Sequence, residues 1–164
     1  METITRQANL DDLKDIKWFV DFWLSGRGKK YNAPNVANDI FISTSQHIRY
    51  IDKYKTYIVT LEGQIIAWAV IQKDGSLIHL LVDGYCRGKH IGSDLLAFLK
   101  PKKVHSKSNQ STGNPAKFYE RQGYIKTGTK QSRRRIDIDK IDPDRKAIID
   151  IFEREQLCQT HQHA

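Results

Sequence analysis

The chain has 164 residues, with 27 Lys plus Arg against 19 Asp plus Glu, a formal net charge of +8. That length suits one domain, residues 1–164, and is too short for two full cores. With 39% hydrophobic and 28% charged residues, disordered and collagen-like chains are excluded. No apolar run approaches the ~18–20 residues of a membrane span, and the first five residues lack the basic-then-apolar layout of a secretory signal. Cys86 and Cys158 are the only cysteines, so neither a disulfide framework nor a four-cysteine zinc site is available. The expectation is a cytoplasmic, reduced protein without a metal or a membrane partner. The charge surplus favours polyanionic partners, nucleic acid and phosphorylated cofactors among them, and equally describes a solvated surface.

In chain order, residues 4–7 read as a short strand. A helix follows, with Asn9 as its cap, Asp11 and Asp12 in the positive first turn and Gly26 at its stop. Leu10, Leu13, Ile16, Val20, Trp23 and Leu24 recur at helical spacing and form a core face. Residues 26–35, with Arg27, Lys29 and Lys30 among glycines and a proline, read as a basic connection bordering a substrate groove. Residues 38–53 predict a second helix. Strands are predicted at 56–61, 64–72 and Leu77–Val82, separated by the turns at 62–63 and 73–76. Next come a helix over Ile91–Leu99 ended by Pro101, a strand over Lys103–Lys107, and a helix opened by Asn114 and Pro115 and closed by Gly123. Residues 124–129 and 134–138 read as a final antiparallel pair and 143–157 as a closing helix. A disordered tail is expected at 158–164, with His161 and His163 not acting as ligands.

The chemistry concentrates in residues 77–92, a buried strand feeding Arg87-Gly88-Lys89-His90-Ile91-Gly92 at the start of a helix. The first-turn amides of a helix point outward, its dipole adds positive potential, and glycines let a ligand approach the backbone. Arg87 and Lys89 add charge. The physics describes a phosphate or pyrophosphate binder. The run is neither a Rossmann Gly-x-Gly-x-x-Gly nor a P-loop, since no Lys-Ser/Thr ending follows.

Residues 82–93 resemble motif A of the GNAT superfamily of N-acetyltransferases, Gln/Arg-x-x-Gly-x-Gly/Ala. Downstream, Asn114-Pro115-Ala116-Lys117-Phe118-Tyr119-Glu120-Arg121-Gln122-Gly123-Tyr124 resembles that family's second signature. The two lie in the family's order within residues 77–124. The resemblance implies that the main chain of Leu80, Leu81 and Val82 pairs with the pantetheine arm of acetyl-CoA. It implies further that Arg87, Gly88, Lys89, Ile91, Gly92 and Ser93 hold the pyrophosphate and that Tyr119 protonates the departing thiolate. His90 stands where motif A most often has glycine, and is read as contacting or crowding the phosphate. Asn114 and Phe118 complete the cofactor-side set. The family's asparagine falls at Thr112 here, so Asn114 is read mainly as a cap.

His79 is a candidate base by its ordinary titration range, but is read as a partly buried, satisfied histidine because strand alternation turns it away from Val82. Cys86 has no arranged histidine partner and is not read as a nucleophile. Lys130, Arg133, Arg134 and Arg135 are read as charge protecting a sheet edge. The expected fold is a single α/β domain: a mixed, mostly antiparallel sheet flanked by helices, with splayed parallel strands binding acyl-CoA. The expected activity is transfer of an acyl group, most often acetyl, from acetyl-CoA as co-substrate to a small-molecule or protein amine. Direct attack in a ternary complex needs no covalent nucleophile. A nucleic-acid-binding or nucleic-acid-modifying protein and a non-catalytic acyl-CoA binder are the alternatives. A monomer or homodimer is expected.

Overall fold

The computed structural model describes residues 2–24, 42–107, 114–131 and 148–154. Residues 26–35, Thr112, Arg133 to Arg135, Cys158 and the tail histidines lie outside them.

The described residues build a seven-stranded sheet in the order β1-β2-β3-β4-β5-β7-β6. Its strands are β1 (Thr3–Gln7), β2 (Lys55–Leu61), β3 (Gln64–Ile71), β4 (Leu77–Val82), β5 (Lys103–Lys107), β6 (Ile125–Gln131) and β7 (Ile148–Glu153). All neighbours pair antiparallel except β4 and β5. The helices are α1 (Leu13–Leu24), α2 (Thr44–Asp52), α3 (Ile91–Leu99) and α4 (Ala116–Arg121).

Local chemistry explains most boundaries. Asn9 and Asp12 form a reciprocal capping box on the short 3-10 turn that leads into α1. Ser43 accepts the Gln46 amide and starts α2, so the predicted second helix begins later than residue 38 among the residues seen. Asn114 accepts the Ala116 amide at 3.0 Å, while the capping backbone position itself falls on Pro115, one residue beyond the predicted cap. Gly123 ends α4 at φ +90, a left-handed conformation that suits glycine.

One element differs in kind. Residues 148–153 are a strand, not part of a closing helix. β7 lies between β5 and β6 and pairs with both, burying Ile149 and Phe152. Ile148, Ile149 and Ile151 are β-branched residues that pack well on a pleated surface, and two rows of ladder hydrogen bonds outweigh the helical spacing of the segment. β6 therefore pairs with β7, and residues 134–138 lie outside the described residues.

The sheet separates two cores. On one face, α1 and α2 cover Ile58, Trp68, Val70 and Leu81 with Ile16, Phe19, Val20, Trp23, Tyr50 and Ile51. On the other, α3 and α4 cover Ala67, Ala69, Leu77 and Val104 with Leu95, Leu96 and Tyr119. The result is three layers, with helices on both faces of the sheet.

Candidate functional site

β4 and β5 share one register pair, Leu77 with Val104. Beyond it no ladder contact joins them among the described residues, and the strands fork. The β3–β4 register shifts so that Val70 faces His79 while Ile71 faces Leu77, which leaves Ile78 as an extra residue. Past this bulge, Leu80 and Val82 turn to the α3–α4 core and Leu81 to the α1–α2 core. The predicted trio Leu80, Leu81 and Val82 thus shares a backbone edge but not a side-chain face.

The turn after β4 is a short 3-10 helix, Gly84–Cys86, capped by Asp83, whose carboxylate accepts the Tyr85 amide at 2.8 Å. A Cβ built on Gly84 would lie 2.6 Å from the Trp23 ring, so glycine is required for α1 to approach this turn. Trp23 also meets Tyr85 edge-on at 5.6 Å between centroids. Arg87, Gly88, Lys89 and His90 follow, all exposed.

Gly88 and His90 both adopt left-handed backbone, at φ +80 and +64. The glycine that motif A usually carries at position 90 is therefore explained here by conformation, and His90 accepts the strain of a side chain in that region. It is the N-cap of α3 without a side-chain cap, so the first-turn amides at Ile91, Gly92 and Ser93 are left for an external acceptor. The Ser93 hydroxyl donates back to the His90 carbonyl at 3.1 Å, which takes that hydroxyl out of the cradle. A Cβ on Gly92 would touch Val82 and Phe118 at 3.4–3.6 Å, so β4, α3 and α4 converge at this residue.

Tyr119 is 4% exposed and packs in the same core as Leu80, Val82, Ile91 and Phe118. Its ring lies 5.2 Å from Phe118, 5.9 Å from Phe152 and 6.2 Å from Tyr124 between centroids. Burial, with a smaller contribution from Tyr124, raises its proton affinity well above the ordinary phenol range. The hydroxyl is thus held protonated and makes no hydrogen bond with a described residue. Leu80, Val82, Ile91, Gly92, Phe118 and Tyr119 are brought together, Arg87 to His90 form the rim, and Asn114 stays at the α4 start as a cap.

His79 sits on the opposite face. Its Nε2 is 3.0 Å from the Tyr50 hydroxyl and its ring stacks on Trp68, so the satisfied-histidine reading is supported. Burial and Asp83 raise the Cys86 thiol, which disfavours the thiolate and any nucleophilic role. No cluster of three or more metal-ligating side chains occurs among the described residues, and no described helix is long and apolar enough to cross a membrane.

Sequence reading missed Trp23, Tyr50 and Lys107 as parts of this region. Only the alternation of Lys103, His105 and Lys107 along β5 offered a signal, by placing the three on one face.

The fold resembles solved acetyltransferases over nearly its whole length. A GCN5-related N-acetyltransferase from Rhodopseudomonas palustris matches with TM-score 0.67 and 13% identity, covering 94% of this chain and 96% of that one. An N-acetyltransferase from Thermoplasma acidophilum, solved in complex with coenzyme A, matches at 0.63 and 12% identity, covering 94% and 100%. The ribosomal-protein-S18-alanine N-acetyltransferase from Escherichia coli matches at 0.60 and 13% identity, covering 93% of each chain. At such identities the likeness concerns the fold. No curated protein matches the sequence. The family model described as an acetyltransferase (GNAT) domain matches residues 30–139, more than half of the 164 residues. This chain therefore belongs to the GNAT acetyltransferase family.

Proposed function

We propose that the protein transfers acetyl from acetyl-CoA to an amine by direct attack in a ternary complex. The observation that carries this reading is the convergence of β4, the uncapped α3 N-terminus and α4 at Gly92, beside the β4–β5 fork and in the core that holds Tyr119. The amides at Ile91, Gly92 and Ser93 and the charges of Arg87 and Lys89 suit a pyrophosphate. The backbone edge of Leu80 to Val82 suits an extended amide-containing arm, which pairs as an added strand does.

In the reaction the C–N bond forms as the C–S bond breaks. The acceptor amine attacks unprotonated and its surplus proton leaves to water. Tyr119 gives its proton to the departing sulfur. A phenol is protonated at neutral pH, and burial holds that of Tyr119 further on the protonated side, so the proton is present when the sulfur departs. Proximity of two bound substrates supplies the rest.

The test is thiol release with acetyl-CoA and a panel of amines, comparing wild type with Tyr119→Phe. The expected result is turnover lowered by roughly 10²–10⁴-fold, the usual worth of one general acid, with coenzyme A affinity unchanged. A variant within about threefold of wild type removes Tyr119 from the mechanism, product release having been excluded as rate-limiting by single-turnover measurement.

A further inference from the structure

The geometry points to Lys107 as a positioning residue that holds the β4–β5 fork and, with it, the acyl end of the donor groove. This rests on the donor-groove reading above. After the single pair Leu77–Val104, the two strands part. Three residues further along β5, the Lys107 side chain reaches back across the gap and its ammonium donates to the Ile78 carbonyl at 2.8 Å. Ile78 is the extra residue of the β4 bulge. A charged side chain thus stands where a ladder hydrogen bond would otherwise close the fork. It tethers the strands at the vertex while their backbones separate above it.

The same ammonium lies 3.4 Å from Nδ1 and 3.5 Å from Nε2 of His79. The ammonium thus lies beside both ring nitrogens rather than on one alone. The Trp68 indole stacks on His79 with centroids 5.0 Å apart and planes 28° apart. Tyr50, from α2, meets Nε2 at 3.0 Å and sets the rotation of the ring. The bulge residues Ile78 and His79 are held from β5, β3 and α2 at once. Leu80 to Val82, the edge assigned to the pantetheine arm, begin one residue later. The residue at the fork is required to be long, unbranched and capable of donating to a carbonyl, and Lys107 combines these.

The experiment compares wild type, Lys107→Met and Lys107→Arg in the full chain, with acetyl-CoA and coenzyme A as calorimetric titrants and thermal melting as the control for folding. Methionine keeps the length and removes the donor. The expected result for Lys107→Met is a folded protein whose acetyl-CoA affinity falls about tenfold, as for one lost charge-assisted hydrogen bond. Coenzyme A, anchored by its pyrophosphate and lacking the acyl group, should lose less than acetyl-CoA, and Lys107→Arg should recover part of the difference. A purely stabilising lysine would lower the melting temperature and leave both affinities unchanged, which overturns the proposal. Equal losses for both ligands overturn its assignment to the acyl end. If Lys107→Met does not fold, Tyr50→Phe replaces it, with a smaller selective loss expected and an unchanged acetyl-CoA affinity overturning the proposal. Wild type that binds neither ligand refutes the donor-groove reading itself, whereas wild type that binds with a matching Lys107→Met refutes the fork alone.

Discussion

Gly84→Ala tests whether α1 fixes the turn that begins the anion loop. Gly84 has no left-handed backbone requirement, so alanine costs nothing in conformation there. The cost is steric: the new Cβ would stand 2.6 Å from Cζ3, 2.9 Å from Cη2 and 3.4 Å from Cε3 of Trp23. Carbon contacts are optimal near ~3.5–4.0 Å, so about 1 Å has to be found. The indole is rigid, 9% exposed, and held edge-on between Phe22 and Tyr85, so it has no free direction in which to yield. Relief requires α1 or the Gly84–Cys86 turn to shift, an overpacking cost of about 1–3 kcal/mol. In a domain of this size that lowers the melting temperature by about 2–12 °C. Gly128→Ala is the control, since nothing lies within 4 Å of its built Cβ, and it should melt as wild type. In a Trp23→Leu background the ring is gone and Gly84→Ala should become nearly neutral, giving a coupling energy of at least about 1 kcal/mol. Coenzyme A affinity should fall in Gly84→Ala, and saturating coenzyme A should recover part of the lost melting temperature. A variant that melts like wild type, or costs the same in both backgrounds, refutes the argument.

His90→Gly should raise the melting temperature by about 2–4 °C by relieving roughly 1 kcal/mol of left-handed strain at φ +64; a loss of coenzyme A affinity on calorimetry would show that the imidazole contacts phosphate. Gly92→Ala should fold and bind coenzyme A nearly as wild type does, because its Cβ meets Val82 and Phe118 at ordinary contact distance and motif A accepts alanine there, while the branched Gly92→Val should abolish binding. Unchanged coenzyme A affinity in Gly92→Val would remove residue 92 from the cradle. His105 titrates at about 4, lowered by burial first, then by Lys130 and Lys107, with Lys103 adding and Asp74 opposing. The unfolded chain takes up that proton near pH 6.5, so stability is full above about 6.5 and declines as pH falls from there to about 4. Discounted for the partial exposure of the ring, the loss is about 1–2 kcal/mol. His105→Gln should flatten the melting profile between pH 7 and 5, and an unchanged slope refutes the assignment.

Elements whose ends are written in local chemistry were legible in the sequence: Leu77–Val82, Ile91–Leu99 and Lys103–Lys107 fall where hydrophobic runs, Pro101 and turn residues place them. The loop between β4 and α3 was legible for the same reason, since an uncapped helix start after a buried strand is a property of contiguous residues. Residues 148–153 were not, because a short segment rich in isoleucine satisfies both periods until partners on each side supply a ladder. Nor could sequence order tell that Trp23 abuts Gly84, or that Tyr50, His79, Trp68 and Lys107 meet at one fork. The sequence alone determined the α/β class, the order of the central elements and the glycine-containing loop at the start of α3. The tertiary structure decided which strand fills the gap between β5 and β6, which face each β4 side chain takes, and what holds the fork. Those outcomes depend on a one-residue bulge and on contacts between distant segments, where a single shift in register sends every later side chain to the other face.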